Sequence, residues 1–189
     1  MTGLSRNRAA PGRGITLIEL MVVVALIGIV VSLVGPSMRE LVTRQRLRSI
    51  NSELVNDLQF ARSEAVRRSY PVHFRFGGNA DSTCYVMFTP GIIGDCDCTR
   101  GVTRACGGTH TELKLVEVPR KVSVSLAASS SATTIVVFDW RTGQSQPGDF
   151  RVDVAATPNG TLRTSVSASG RPSVCSPDGS VPQVSRCPP

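Results

Sequence analysis

Residues 15–34, which read ITLIELMVVVALIGIVVSLV, decide how this chain is organised. A helix of these 20 residues would be about 30 Å long, the hydrocarbon thickness of a bilayer. The run holds a single charge, Glu19, and follows a polar leader that carries three arginines and ends at Gly14. We therefore predict a membrane-spanning helix that begins at Ile15.

A secretory signal, a plain membrane anchor and a buried core helix are the alternative explanations of this run. A secretory signal has a shorter apolar core of about 7–15 residues, and a plain anchor accounts for the length of the run but not for Glu19. A buried core helix is rarely apolar on every face over such a length. Arginines flank the run on both sides, so the positive-inside rule leaves its orientation open.

Glu19 is the residue that these alternatives leave unexplained. A carboxylate in hydrocarbon costs on the order of 2–3 kcal/mol and needs a partner, yet the run contains no Lys or Arg. Cleavage between Gly14 and Ile15 would create an α-amino group one helical turn from Glu19. We predict that Glu19 neutralises such an N-terminal ammonium, its own or a neighbour's, which links cleavage to assembly.

The string from Gly14 to Met21, GITLIELM, resembles the prepilin cleavage motif of type IV pilins and type II secretion pseudopilins. That family usually has Phe where this chain has Ile15, a departure that conserves size and polarity. The resemblance implies that a prepilin peptidase removes residues 1–14 and N-methylates Ile15, and that Glu19 meets the N-terminus of an adjacent subunit in a filament. It also implies a helix kink at Pro36, where the transmembrane or filament-core segment, residues 15–36, ends.

Beyond this segment the chain keeps a helical pattern over residues 37–70. Apolar residues recur at steps of three and four, which is typical of an amphipathic α-helix: Leu47, Ile50, Leu54, Leu58, Ala61 and Ala65. Charged residues are predicted to occupy the other faces: Arg46, Arg48, Glu53, Asp57, Arg62, Glu64, Arg67 and Arg68. Pro71 disfavours a helical conformation of Tyr70 and ends the segment. We predict that the apolar stripe packs on a sheet, and the charged face is the candidate surface for a partner helix.

After Pro71 the hydrophobic period changes to two, which indicates β-strands. The predicted strands are residues 72–76, 84–88, 113–118, 122–126, 134–138, 150–154 and 161–166. Pro158-Asn159-Gly160 indicates a tight turn between the last two strands, and residues 91–108 are predicted to form a loop. One long helix followed by antiparallel strands predicts an α+β fold, in which the N-terminal helix packs on an antiparallel β-sheet domain, residues 71–189.

A second resemblance covers much of this region. Residues 54–72, LVNDLQFARSEAVRRSYPV, are similar to the helix-to-strand signature of the GspH/FimT family of minor pilins and pseudopilins, and residues 137–143 and 166–171 are similar to its C-terminal half. The resemblance implies a pilin-like fold and a single-pass protein of the bacterial inner membrane with a periplasmic domain. It further implies assembly into a type IV pilus with other major and minor pilins. A pseudopilin of a type II secretion system is the alternative within the class.

All six cysteines follow the apolar run, which is typical of a domain exported to an oxidising compartment: Cys84, Cys96, Cys98, Cys106, Cys175 and Cys187. We predict a bridge between Cys175 and Cys187, which would fix a Pro-rich tail and contribute about 3 kcal/mol by loop closure. The other four are predicted to brace the 91–108 loop, with their pairing open. A metal site at Cys96, Cys98 and Cys106, with His110 nearby, lacks the paired C-x-x-C spacing, so no metal is predicted.

Composition and motifs give no indication of catalysis. Hydrophobic residues make up 41% of the chain, as in a globular protein rather than a disordered one. The sequence contains no nucleophile elbow, phosphate-binding loop, HExxH pair or dinucleotide fingerprint. We therefore predict a structural protein that is not an enzyme and needs no cofactor.

A basic surface is the remaining functional feature. The chain carries 21 Lys and Arg against 14 Asp and Glu, and loss of the leader would lower its net charge from +7 to +4. DNA binding is predicted if the sheet brings five arginines together, because contacts with phosphates depend on positive charge more than on the order of the residues in the sequence. The five are Arg141, Arg151, Arg163, Arg171 and Arg186. Some minor pilins of the family that this chain resembles bind DNA for uptake through a Gly-Arg-x-Arg element. Here Gly170-Arg171-Pro172-Ser173 has Ser in place of the second Arg, and the alternative is a scatter of solvated arginines.

Overall fold

The computed structural model describes residues 16–100, 105–128 and 135–188, without the side chains of residues 33–37. The predicted cleavage site, Gly14 and Ile15, lies outside these ranges, as does the side chain of Pro36. The cleavage, the methylation and the helix kink at Pro36 therefore stay predictions. The chain divides into two units, Met1–Arg39 and Glu40–Pro189.

A single helix, α1, runs over Leu17–Arg68. Thr16 caps its start, because the Thr16 hydroxyl accepts the backbone N–H of Glu19 at 3.3 Å. Its end comes at Ser69, whose φ of 53° is left-handed, and Tyr70 N–H closes the last turn on the carbonyl of Ala65 at 3.2 Å. The prediction placed this end at residue 70. Within the residues that the structure describes, no helix is both long enough and apolar enough to cross a membrane.

The described part of the β domain contains nine strands in two antiparallel sheets. The strands are β1 (Val72–Gly78), β2 (Ser82–Thr89), β3 (Thr111–Pro119), β4 (Ser125–Ala128), β5 (Ile135–Phe138), β6 (Ser145–Gln146), β7 (Phe150–Ala156), β8 (Gly160–Val166) and β9 (Pro172–Cys175). One sheet has the order β3-β2-β1-β5-β6 and the other β4-β7-β8-β9. Short 3₁₀ helices occupy Cys98–Arg100 and Arg120–Val122. A long helix followed by antiparallel sheets confirms the predicted α+β class.

Six of the seven predicted strands lie where the sequence placed them, and the Asn159-Gly160 turn joins β7 to β8. The strand predicted over residues 122–126 was wrong in its first half. Ser123 has a left-handed φ of 60° and donates its N–H to the carbonyl of Arg120, so a 3₁₀ turn precedes β4. The sequence did not predict β6, which has only two residues, or β9, which begins with Pro172 at a sheet edge.

One hydrophobic core joins α1 to both sheets. From the predicted stripe of α1, Leu47, Leu54, Leu58, Ala61 and Ala65 are fully buried, and Ile50 is partly buried beside them. They meet inward-facing residues of both sheets, among them Phe74, Tyr85, Val136, Phe138, Val152 and Val154. This burial confirms that the apolar stripe packs on sheet rather than facing solvent.

Strand β2 is buried along its whole length. One face belongs to the core with α1, and the other carries Cys84, Val86 and Phe88 into a second apolar cluster. Cysteines and Ala105 from the loop that follows β2 complete this cluster. The loop therefore covers the outer face of the first sheet.

Two carboxylates of α1 are buried, although the sequence grouped them with the charges on its other faces. Asp57 accepts hydrogen bonds from the Tyr85 hydroxyl at 2.6 Å and from Lys114 Nζ at 2.7 Å. Burial and the Asp57 carboxylate together raise the pKa of the Tyr85 hydroxyl. Glu64 is buried under its own neighbours, Arg67 and Arg68, which both donate to it. The Asp57 contacts tie α1 to β2 and β3, whereas the Glu64 pairs stay within the helix, and in both cases the buried charge is matched.

Candidate functional site

The first half of α1 exposes its apolar side chains. Every large hydrophobic residue from Leu17 to Val31 is exposed, from 77% at Leu17 to 48% at Val23. By contrast, the Glu40–Pro189 unit buries a core of its own. An apolar surface of this extent needs an apolar environment, which a bilayer or a bundle of other helices provides.

Glu19 lies in the first turn of this apolar helix. Its side chain is exposed, and its backbone N–H is the one that Thr16 caps. A carboxylate is favourable at this end because the free N–H groups of a helix start carry partial positive charge. The proposed partner, the amino group of Ile15 or of a neighbouring chain, lies outside the described residues.

The six cysteines form three disulfide bonds. Cys175 is bonded to Cys187, the pair that the sequence analysis selected, and the loop cysteines pair as Cys84–Cys98 and Cys96–Cys106. The sulfur atoms of Cys96, Cys98 and Cys106, which the metal alternative would have used, all lie in these bonds. The acidic residues of the loop are also engaged: Asp95 accepts from Arg100 at 2.8 Å, and Asp97 accepts from the hydroxyl of Thr99 at 2.8 Å.

The C-terminal tail closes against the helix. Beyond β9 the Cys175–Cys187 bridge ties residues 176–186 into a loop, from which Val181 inserts into the core. Arg48 of α1 donates to the carbonyl of Pro182 at 2.7 Å. The tail that the sequence could not attach to a core is thus part of the folded domain.

Two of the five predicted DNA-binding arginines, Arg141 and Arg171, line one groove of about 760 Å³. The groove lies between α1, the turn after β5 and the turn between β8 and β9. Arg62 of α1 is a third arginine in its wall and donates Nε–H to the carbonyl of Gly143 at 2.9 Å. Glycine is needed at position 170, where φ is 73° and an added Cβ would lie 2.3 Å from the Gly143 carbonyl oxygen.

The other three arginines lie elsewhere. Arg151 and Arg186 line a smaller groove of about 380 Å³ that also contains Asp149. Arg163 is paired side by side with Asp153 of β7, with N–O distances of 2.7 and 2.8 Å, so its charge is matched. The sheet therefore divides the five residues between two grooves and one ion pair.

Sequence reasoning did not select Arg62 for this groove. The residue was counted among the charges of α1, and its contact with Gly143 spans 81 positions of the chain. Its place one residue after Ala61 was the available signal, since it borders the predicted apolar stripe of the helix.

A helix with an exposed apolar first half, followed by a disulfide-bonded domain of antiparallel sheets, defines a subunit of the pilin class. A model of the prokaryotic N-terminal methylation motif matches residues 12–35. The chain belongs to the GspH family, because the family model described as type II transport protein GspH matches residues 51–170. It is accordingly a minor pilin or pseudopilin, from a family of structural subunits.

Two crystal structures of the type IV minor pilin FimU of Pseudomonas aeruginosa have a similar fold. One crystal form matches with a TM-score of 0.51 and 20% identity, over 75% of this chain and 96% of the other. A second crystal form matches with a TM-score of 0.48 and 18% identity, over 72% and 98%. At this identity the likeness concerns the fold. No protein of curated function matches the sequence.

Proposed function

We propose that this chain is a minor type IV pilin that inserts into the bacterial inner membrane and is then assembled into a pilus. The observation that carries the proposal is the exposed apolar surface from Leu17 to Val31, in a chain whose following unit buries its own core. Such a helix suits first a bilayer and then the core of a filament. The three disulfides of the domain suit the oxidising periplasm.

Processing precedes assembly in this proposal. A prepilin peptidase cuts between Gly14 and Ile15 and methylates the new amino terminus of Ile15. Glu19 then neutralises the N-terminal ammonium of an adjacent subunit inside the apolar core of the filament. The exposed position of Glu19 in the first turn of α1 supports this role, because the carboxylate is accessible to another chain.

Substitution of Glu19 tests the proposal. Both Glu19→Ala and Glu19→Gln should be cleaved like the wild type, because the cleavage site is unchanged. Both should be depleted from sheared fibres by about tenfold or more, the loss expected when a charge pair in a low-dielectric core is broken. Immunoblots of membrane and fibre fractions provide the measurement, with Glu40→Gln, an exposed carboxylate farther along α1, as control. Wild-type amounts of Glu19→Gln in fibres would remove the role of Glu19.

A pseudopilin of a type II secretion system is the alternative within the same family. Deletion of the gene separates the two: loss of surface pili with normal protein secretion favours the pilus, and loss of secretion with normal pili favours the pseudopilin. The genes that neighbour this one give the same answer at lower cost.

DNA binding is a second candidate function, supported by the groove that Arg62, Arg141 and Arg171 share. Arg141 and Arg171 are exposed, and the guanidinium of Arg141 lies 4.6 Å from the centre of the Trp140 ring. Three guanidinium groups along one groove could contact successive phosphates of a nucleic acid backbone. The Arg163–Asp153 pair takes no part in this surface.

Gel-shift titrations of the unit 40–189 with duplex DNA test this second function. Binding should appear at low salt and weaken steeply as salt rises. Arg171→Ala and Arg141→Ala should each reduce the slope of log affinity against log salt by about 1, as expected for one lost phosphate contact. Arg120→Ala removes the same charge from the neighbourhood of Asn79, outside the groove, and is the control. No shift at low salt, or an equal effect of Arg120→Ala, would exclude DNA binding through the groove.

A further inference from the structure

The smaller arginine groove lies on the outer face of the second sheet. Arg151 of β7, Ser165 of β8 and Ser173 of β9 form one row across three neighbouring strands, because Arg151 pairs with Ser165 and Ser165 with Ser173. All three line the groove. Val152 and Val166, which alternate with them along the strands, are buried in the core, so the row lies on the opposite face.

The C-terminal tail forms a second wall of this groove. Ser185 and Arg186 line it from the segment that the Cys175–Cys187 bond closes, and Asp149 lines it from the turn before β7. Arg186 also donates to the carbonyl of Asp178 at 3.3 Å, within the same closed segment. The groove is therefore built between a sheet face and a covalently closed loop.

The opposite charges in the groove are not paired with each other. On the next row of the same face, Arg163 and Asp153 form an ion pair with N–O distances of 2.7 and 2.8 Å. Asp149 and Arg151 form no ion pair, and neither side chain has a hydrogen-bond partner among the described residues. The hydroxyl of Ser165 is likewise without a partner there. The groove thus presents both charges and a hydroxyl to a ligand.

This combination of groups indicates the chemistry of the ligand. Guanidinium groups donate paired N–H bonds to a carboxylate, whereas serine hydroxyls and an Asp carboxylate exchange hydrogen bonds with hydroxyl groups. The Asp149 carboxylate disfavours a run of phosphates, because like charges in one site repel. The volume of about 380 Å³ is near the small end of ligand pockets, which range from about 300 to 1,000 Å³. A small ligand with one carboxylate and several hydroxyls matches these features.

We propose that this groove binds an acidic sugar residue, a hexuronate or a sialic acid, at the end of a glycan. The sugar carboxylate accepts hydrogen bonds from the guanidinium groups of Arg151 and Arg186. The ring hydroxyls donate to the Asp149 carboxylate and exchange hydrogen bonds with Ser165 and Ser185. The inference is independent of the proposed pilus function and of DNA binding, because it needs only the folded unit 40–189.

NMR titration of the isotope-labelled unit 40–189, which buries its own core, tests the proposal. The probes are the methyl glycosides of glucuronate and of N-acetylneuraminate. Methyl glucoside, which lacks the carboxylate, and acetate, which lacks the ring, are the matched controls. At least one acidic glycoside should shift the amide signals of residues 149–151, 165 and 173 saturably, and bind about tenfold more tightly than either control, since each control loses one set of hydrogen bonds.

Each other result of the titration contradicts the proposal. Acetate that binds as tightly as the acidic glycosides would make the groove a site for simple anions. Methyl glucoside that binds equally well would remove the role of the arginines. Shifts elsewhere in the domain, or none at millimolar concentrations, would show that the groove binds no acidic sugar.

Variants of the unit 40–189 assign the binding to the groove. Arg151→Gln should melt like the wild type, because Arg151 is exposed and unpaired, and should weaken the acidic glycoside by about tenfold, the loss of a hydrogen bond between charged groups. Lys121→Gln removes the same charge from an exposed residue outside the groove and should leave the affinity within about twofold. Equal losses in the two variants would mean a general effect of net charge and overturn the proposal.

Asp149→Asn separates a sugar from a bare carboxylate. Loss of the Asp149 charge changes its repulsion of acetate and of the glycoside carboxylate alike, but only the glycoside has hydroxyls that donate to Asp149. The ratio of glycoside affinity to acetate affinity should therefore fall by about threefold, as a charged acceptor becomes a neutral one. An unchanged ratio would contradict the contact between the sugar ring and Asp149.

Discussion

Glu64 shows how a carboxylate on the core side of α1 stays charged. Arg67 and Arg68 lie three and four positions further along the helix. Their hydrogen bonds, with that of Arg67 having the larger effect, lower the pKa of Glu64 from 4.5 to about 2. These bonds outweigh the effect of burial, which acts in the opposite direction. The helix thereby matches the charge of a nearly buried carboxylate with residues from its own next turn.

Glu64 should make the stability of the domain depend on pH. Its pKa is lower in the folded than in the unfolded chain, so its ionised form favours folding above about pH 4.5 and loses this contribution as the pH falls toward 2. Glu64→Gln should therefore lower the melting temperature at pH 7 and flatten its decline between about pH 5 and 3. Melting curves of the unit 40–189, with exposed Glu117→Gln as control, provide the measurement.

The pKa of Asp178 is also about 2, because Ser180 donates hydrogen bonds to it. Asp178 is present in both the wild type and Glu64→Gln, so it adds the same pH dependence to the stability of each. An identical pH profile for wild type and Glu64→Gln would contradict the role assigned to Arg67 and Arg68.

At the scale of elements, the C-terminal tail is closed into a ring by one covalent bond. Cys175–Cys187 closes a loop with a sequence separation of 12, and inside this loop Val181 is buried and Ser176 donates to the carbonyl of Thr161 at 3.1 Å. Val184 also packs against the core, and Arg48 of α1 donates to the carbonyl of Pro182. The bridge adds a covalent link to these noncovalent contacts.

Removal of this bridge has a predictable cost. Cys175→Ser with Cys187→Ser should lower the free energy of unfolding of the unit 40–189 by about 3 kcal/mol, the loop-closure value for a ring of this size. Urea denaturation under oxidising conditions measures the change. A loss below about 0.5 kcal/mol would mean that the tail is held by its noncovalent contacts alone.

The sequence predicted those elements whose signals are local. The stripe from Leu47 to Ala65 placed the buried face of α1, alternation placed six strands, and the Asn159-Gly160 turn placed a hairpin. The strand β9 was missed because Pro172 at its start is an edge residue with no alternating pattern after it. The loop disulfides were open to several pairings because spacing alone does not order cysteines in space.

The groove and the buried charge network needed the tertiary structure. Arg62 reaches Gly143 across 81 positions, and Lys114 reaches Asp57 across 57. No pattern within either segment identifies the other, since each side chain is ordinary for its own element. The five candidate arginines were selected because they are arginines in the C-terminal part of the sequence. Their distribution between two grooves and one ion pair depends on how β7, β8 and the turns are arranged in the fold.

At the scale of the whole molecule, the chain combines a helix start with exposed apolar side chains and a domain with its own core. The methylation motif matches residues 12–35, a range that contains the start of α1 and Glu19. The domain carries a groove lined by Arg62, Arg141 and Arg171, the surface proposed for DNA. A pilin-class subunit is the arrangement in which each of these parts has a function.

The amino terminus of the assembled chain tests this account most directly. Mass spectrometry of the chain recovered from sheared fibres should find peptides that begin at a methylated Ile15 and none that contain residues 1–14. Chains in the fibres that still carry Gly14 joined to Ile15 would contradict the account, because the leader would then keep the free amino group away from Glu19.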